Sequence, residues 1–428
     1  METLRSGFDF LAAQSGTSLL YIFWYTLIFE FPRYSLTFVS VALGAVAAGR
    51  LKSERPVAAV EARSPQTLAV LVVGHNEAGS LERCIRSLRE QTRVPDEIVI
   101  VSDGSSDAMA QVAARLVKNG LATRVLSSRN RGGKAGGINL AVRSTKCGII
   151  AIVDCDCSFD RYAIANLIAP LSDPGVGGSC GDIVPRNGQA SLVSGFQEIE
   201  YLMTISLAKR IGNALNQVVC LSGAFSAFRT EALQSVGSFD VGGGEDLDTT
   251  MRLRDHGWRV AFAQDAVCYT DVPTSLWVLV RQRLRWERDA VWIRFRKHWR
   301  LMSSGHSRFR ASEVFHQWDF LLFNILGAAI FPIYTVWLFG MYGFFALPIL
   351  LAIQVVMSGL DFCLLALAAI LTGRPDTIRL APLVPGFSFF NGYIMKSVRL
   401  LAYVQEVFLA SSRKDNYVPE RVRSVRSW

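Results

Sequence analysis

Between residues 68 and 153 short apolar runs alternate with amphipathic stretches. Leu68 to Val73, Glu97 to Val101, Thr123 to Leu126 and Ile149 to Val153 have the length and β-branched content of buried strands. Between them, Ser80 to Gln91, Asp107 to Asn119 and Gly137 to Ser144 repeat apolar residues at helical spacing. This alternation predicts a mostly parallel sheet in an α/β domain. From Arg161 to Asp271 the pattern predicts helices around Leu192 to Ile211 and Asp246 to His256, with shorter strands between.

Longer apolar runs flank this region. Met1 to Gln14 reads as a short interfacial helix, and Leu19 to Ala48 is apolar except for Glu30, Pro32 and Arg33. A membrane span needs about 20 apolar residues, so that run is one long kinked helix or a pair of short ones. Pro273 to Arg300 is basic and carries Trp277, Trp286, Trp292 and Trp299, the composition of an amphipathic helix at a membrane interface. Phe320 to Gly340 and Phe345 to Leu371 are long enough to span. Leu380 to Met395, with Pro382 and Pro385, is marginal: it lies in the interface, re-enters, or turns back on itself. The expected division is therefore an N-terminal interfacial or transmembrane segment (1–50), a linker (51–66), a catalytic-type domain (67–272), amphipathic interface helices (273–315), two transmembrane helices (316–373), and a re-entrant or transmembrane segment with a basic tail (374–428).

Composition agrees with lipid contact. Half of the 428 residues are hydrophobic, and Lys plus Arg exceed Asp plus Glu by 45 to 36, a net charge of +9. The basic residues collect beside apolar runs and in Arg281 to Arg300, which suits anionic headgroups and a cytoplasmic bias rather than nucleic acid. Arg50, Lys52 and Arg55 after the first apolar run place the following domain in the cytoplasm, with no cleavage site of a signal peptide expected there. The eight cysteines lack paired metal spacing and read as reduced thiols.

The candidate chemistry sits where strands end. Asp154 and Asp156 close the run Ile149 to Val153; in extended chain both acids share a face, and they repel unless a cation lies between them. Such pairs also occur in solvated turns. Gly74 to Ser80 (GHNEAGS) and Ser102 to Asp107 (SDGSSD) are polar loops after strands, with Asp103 placed to accept from a base or sugar edge or else to cap a helix. Arg131 to Asn139 (RGGKAGGIN) sets Lys134 among glycines ahead of a helix, suited to an anion but without the spacing of a nucleotide-hydrolase phosphate loop. Gly242 to Asp248 (GGGEDLD) puts Glu245 and Asp246 at a helix start, as caps or as a general base. Gln282, Arg285 and Trp286 (QRLRW) offer an amide, a guanidinium for a diphosphate and an indole for a sugar ring.

These features in this order resemble the membrane-integrated family 2 glycosyltransferases, the cellulose, hyaluronan, chitin and poly-N-acetylglucosamine synthases. The resemblance implies a GT-A, Rossmann-like catalytic domain attached to a helical transmembrane bundle. It further implies that Asn76, Glu77, Asp103, Lys134 and Asp154 bind a UDP-sugar, that Asp156 binds Mg²⁺ or Mn²⁺ on its diphosphate, and that Asp246, beside Glu245, is the catalytic base. Gln282 and Arg285 would hold the diphosphate, and Trp286, Ser222 and Gly223 the acceptor. The implied reaction is inverting transfer to a growing polysaccharide at the inner (cytoplasmic) membrane of a multi-pass protein, processive and coupled to export. The alternatives are transfer of one sugar to a membrane lipid, as in glucosylceramide synthase-like proteins, and a non-catalytic sugar-nucleotide sensor. A homo-oligomer or an accessory membrane subunit would be its partner. Two departures bear on the sugar: His75 replaces the more usual aromatic before Asn76-Glu77, and Gly244 stands where cellulose synthases usually have Thr.

Overall fold

The computed structural model describes residues 2–36, 66–302, 311–415 and 417–424. Its centre is an eight-stranded mixed sheet in the order β3-β2-β1-β4-β7-β6-β8-β5. The strands are β1 (Leu68–Gly74), β2 (Glu97–Asp103), β3 (Arg124–Ser128), β4 (Ile149–Asp154), β5 (Ser158–Phe159), β6 (Val176–Pro185), β7 (Phe225–Arg229) and β8 (Arg259–Thr270). As the alternation predicts, β1 to β4 are mutually parallel, joined by the helices Ala78–Arg89, Met109–Lys118 and Lys134–Arg143. Every residue of β1 before Gly74 is buried, because helices cover both faces. On one side Leu68, Val70 and Val72 pack with Leu81, Ile85 and Leu116; on the other Ala69, Leu71 and Val73 pack with Ile138 and Ala141.

The helix after β3 starts at Lys134, three residues before the expected Gly137, because Gly133 takes φ +81° and lets the chain turn straight into it. The second half departs further. Instead of shorter strands it holds the two longest, β6 with 10 residues and β8 with 12, and β7 runs antiparallel to both β4 and β6. Glycine hides β6 from a hydrophobic pattern: at Gly181 a Cβ would lie 2.4 Å from the Ala266 carbonyl and from the Phe225 ring, so close backbone approach takes the place of side-chain alternation.

The flanking helices form a second layer. Glu2–Ala12 and Gly16–Ile22 are helical, and helical backbone continues to residue 36; the rest of the first apolar run and the 51–65 part of the linker lie outside the described residues. Among the described residues one helical run, Glu313–Thr372, is long and apolar enough to cross a membrane. Gly343, at φ +53°, ends the rod Gly327–Tyr342, and a second rod, Ala346–Thr372, follows. With 27 residues that second rod measures about 40 Å. After a 3-10 stretch, Pro375–Leu383, the chain is helical from Val384 to Leu409, and Phe390, Met395 and Val398 pack on Leu279 of the helix Leu276–Val291.

Candidate active site

Parallel pairing brings the carboxyl ends of β1, β2 and β4 to one edge of the sheet, beneath a cavity of about 400 Å³. Lys134, Asp154, Asp156, Ser222, Gly223, Glu245, Asp246, Gln282, Arg285 and Trp286 all line it. These ten come from five separate stretches of sequence. β4 ends at Asp154 and Asp156 lies in the turn that follows, while Cys155 and Cys157 point into the core at 2% and 0% exposure.

Lys134 Nζ donates to Asp154 Oδ1 at 2.6 Å and to the Gly223 carbonyl at 3.2 Å, and stands 3.8 Å from Glu245 Oε1. Burial would push this ammonium down, but Asp154 and then Glu245 outweigh it and hold it well above its ordinary value. The helix Glu245–Asp255 begins after Gly244, whose φ of +68° and ψ of +34° are left-handed and whose Cβ would meet Ile293 Cδ1 at 2.5 Å. Local packing thus requires glycine at this position. Asp246 Oδ2 accepts from the Gly223 amide at 3.1 Å, and Oδ1 from the Leu247 amide at 2.8 Å. Glu245 is buried, and desolvation with Asp246 alongside raises it to about 7 against the pull of Lys134. The third acid of the motif faces away: Asp248 pairs with Lys297 at 2.8 Å and Arg252 at 2.9 Å and tethers this helix to the segment Trp292–Lys297.

Asp156 is a cavity carboxylate free of an ion pair among the described residues. Its Oδ2 accepts only from the Thr270 hydroxyl, at 2.9 Å. Arg83 and Arg186 instead reach its backbone carbonyl and pair with Asp271. No group of three or more His, Cys, Asp or Glu that could hold a metal occurs among the described residues. Asp154 Oδ1 is taken by Lys134, so Asp156, without an ion pair among the described residues, is the carboxylate that would hold a hard divalent cation on a diphosphate.

Asn76, Glu77 and Asp103 do not line the cavity. Asn76, at φ +61°, accepts from the Ser106 and Asp107 amides, and Glu77 accepts from Ser80. Asp103 is buried and spends both oxygens on the amides of Gly132 and Gly133, at 2.6 and 2.7 Å, fixing the loop that presents Lys134. His75 Nδ1 bonds to the Asp103 carbonyl at 2.8 Å, tying the loops after β1 and β2 together.

Gln282, Arg285 and Trp286 lie on the helix Leu276–Val291. The Gln282 Oε1 atom is buried without a hydrogen-bond partner among the described residues. Trp286 is 40% exposed and carries Arg283 over its ring at 4.5 Å, and Arg283 pairs with Glu200 at 2.8 Å. Tyr417 and Asp289 also line the cavity, outside the motifs. Tyr417 stacks under Arg285 at 3.8 Å, brought there by a tail in which Asp415 pairs with Arg288 and Arg421 reaches the Arg131 carbonyl. Asp289 stands one turn after Arg285, a spacing that a helical reading of the motif carries. Tyr201 and Ile205 close the cavity on the side of the flanking helices. On the same helical stretch Glu200, Met203, Thr204 and Ala208 line a second cavity of about 250 Å³, with Tyr25, Tyr334, Tyr393, Asp361, Lys396 and Arg399.

Known proteins carry the same framework. Residues 65–288 match the model of a glycosyltransferase like family 2. The poly-beta-1,6-N-acetyl-D-glucosamine synthases of Staphylococcus aureus strain MSSA476 and of Staphylococcus epidermidis are 29% and 27% identical over 221 and 241 residues. Those alignments take in 51% and 56% of this chain and 53% and 58% of theirs, so the chain spans about half the length of the curated relatives it matches. A mannosyltransferase of Pyrobaculum calidifontis, solved with GDP-Man and Mn²⁺, superposes over 87% of this chain and 99% of its own with a TM-score of 0.51 at 21% identity, which shows a shared fold. With more than half of its length inside the family match, the chain belongs to the family 2 glycosyltransferases.

Proposed function

We propose that the chain is a UDP-sugar-dependent, inverting hexosyltransferase that extends a polysaccharide at the cytoplasmic face of a membrane. The observation that carries this reading is the meeting of an acid pair, a lysine, a candidate base and the QRLRW helix around one cavity. Asn76, Glu77 and Asp103 would shape the nucleoside side, Asp103 through the glycine loop it fixes. In the transfer, Asp246 accepts the proton of the acceptor hydroxyl while that oxygen bonds to the anomeric carbon and the bond from that carbon to the diphosphate breaks. Inversion follows from attack opposite the leaving group. Lys134 and Arg285 stabilise the negative charge that grows on the departing UDP. Ser222 and Gly223 border the acceptor, and Trp286 offers its ring a platform. Asp154 would help hold the nucleotide, and Mg²⁺ or Mn²⁺ held by Asp156 would neutralise diphosphate charge.

Membrane location and export rest on the flanking helices. The Glu313–Thr372 run supports anchoring. A second cavity lined by tyrosines and charged groups, reached by Glu200, Met203 and Thr204 of the helical stretch whose Tyr201 and Ile205 line the first, supports passage of product away from the site. The test is incubation of purified membranes with single UDP-sugars, with and without EDTA, followed by sizing and linkage analysis of the product. A long polymer made only with divalent cation is expected. One sugar on a lipid would replace processive synthesis by lipid transfer, and no transfer from any UDP-sugar would overturn the reading.

A further inference from the structure

Asp289 is a carboxyl with no assigned work. It is 5% exposed, lines the catalytic cavity and receives no hydrogen bond on its carboxyl among the described residues. The cations nearby are engaged elsewhere. Arg285 lies over Tyr417, Arg288 pairs with Asp415 at 2.8 Å, and Lys134 serves Asp154. Its place is nevertheless built. A Cβ on Gly243 would lie 2.2 Å from Asp289 Oδ2, and one on Gly244 would lie 3.3 Å from its Cβ. The glycines before Glu245 thus make room for this side chain at the foot of the base-bearing loop.

A buried acid without a partner is unfavourable unless a ligand completes it. Asp289 follows Trp286 by three residues on one helix, so a sugar stacked on the indole extends its edge along the helix toward the carboxyl. We infer that Asp289 is a specificity-determining residue that hydrogen-bonds a hydroxyl of the acceptor's terminal sugar and so orients the neighbouring hydroxyl toward Asp246. The inference deepens the function proposed above and rests on it.

The protonation state fits a hydroxyl rather than an amine. Burial, reinforced by Asp415 and Glu245 and opposed by Arg285 and Arg288, raises Asp289 to about 8. At neutral pH the group therefore carries a proton and can donate and accept at once, as a hydroxyl does. An ammonium would instead call for the ionised form.

The experiment uses the full-length protein in detergent, saturated with UDP, and titrates a β-1,6-linked N-acetylglucosamine pentasaccharide by calorimetry across the neutral to alkaline range. Asp289→Leu is expected to weaken the pentasaccharide about tenfold or more, as an unpaired sugar hydroxyl does, with UDP affinity unchanged. The wild type should lose affinity as pH rises through about 8, whereas Asp289→Asn should lack that fall near 8. Should Asp289→Leu fail to fold, the wild-type and Asp289→Asn profiles decide. Equal pentasaccharide affinity in Asp289→Leu, equal weakening of UDP and sugar, a flat wild-type profile, or a wild type that binds UDP but not the pentasaccharide each overturns the inference. A wild type that binds no UDP overturns the proposed function itself.

Discussion

The amide of Gly223 donates to Asp246 Oδ2 at 3.1 Å, while the carbonyl of the same residue accepts from Lys134 at 3.2 Å. One small residue thereby sets the proposed base against the proposed anion-binding ammonium. A Cβ there would stand 3.3 Å from Lys134 Nζ, which would have to give by a few tenths of an ångström, and 3.4 Å from Asp246 Oδ2, in contact with it. Gly223→Ala should therefore lower kcat by about tenfold or more, since small misplacement of reacting groups is costly in rate. Thermal stability should change little, because only side-chain ends need move. Steady-state kinetics beside a melting curve checks both.

Tyr417 should act through its ring. Its face lies 3.8 Å from the Arg285 guanidinium, and its hydroxyl makes no hydrogen bond among the described residues. A cation–π contact of this kind contributes about 1 kcal/mol, so Tyr417→Ala should weaken UDP by roughly fivefold and Tyr417→Phe should leave it unchanged. Equilibrium binding of UDP distinguishes the two variants.

Stability should fall as pH rises through neutrality. Burial raises Glu245 to about 7 and Asp289 to about 8. In both cases the folded chain keeps a proton that the unfolded chain gives up in the ordinary carboxylate range. Over that interval the folded state binds more protons, so unfolding free energy decreases with pH until each group ionises in place. The melting midpoint of the ligand-free protein should drop between mildly acidic and mildly alkaline buffer. Asp289→Asn should flatten the upper part of that fall, and a midpoint rising over the same range would contradict the assignment.

The first half of the fold was readable because β1, β2 and β4 each carry a continuous apolar run and the helices between them are amphipathic, so burial leaves short apolar runs alternating with a helical period. β6 left none: Gly177, Gly178 and Gly181 have no side chain to alternate, and its pairing with β7 and β8 is long-range. The site divides the same way. Lys134, Asp154, Asp156, Glu245 and Asp246 were visible as short motifs at element ends, and QRLRW as a helical face. Asp103 was visible too, but its bonds to Gly132 and Gly133 depend on a loop 29 and 30 residues away. Tyr417 sits in a tail segment with no local signal, and only the ion pair of Asp415 with Arg288 and the folding of the tail onto the site bring it there. The flanking apolar helices were marked by hydropathy, while the break at Gly343 depends on a single positive φ.

The measurement closest to the centre of this account is turnover of a UDP-sugar by Asp246→Asn, made with its UDP affinity in the same preparation. Loss of a positioned general base should cut kcat by about 10²- to 10⁴-fold, while UDP binds as in the wild type because Lys134, Asp154 and Arg285 are untouched. Near-normal turnover in that variant would remove Asp246 from the reaction and leave the cavity without the chemistry proposed for it.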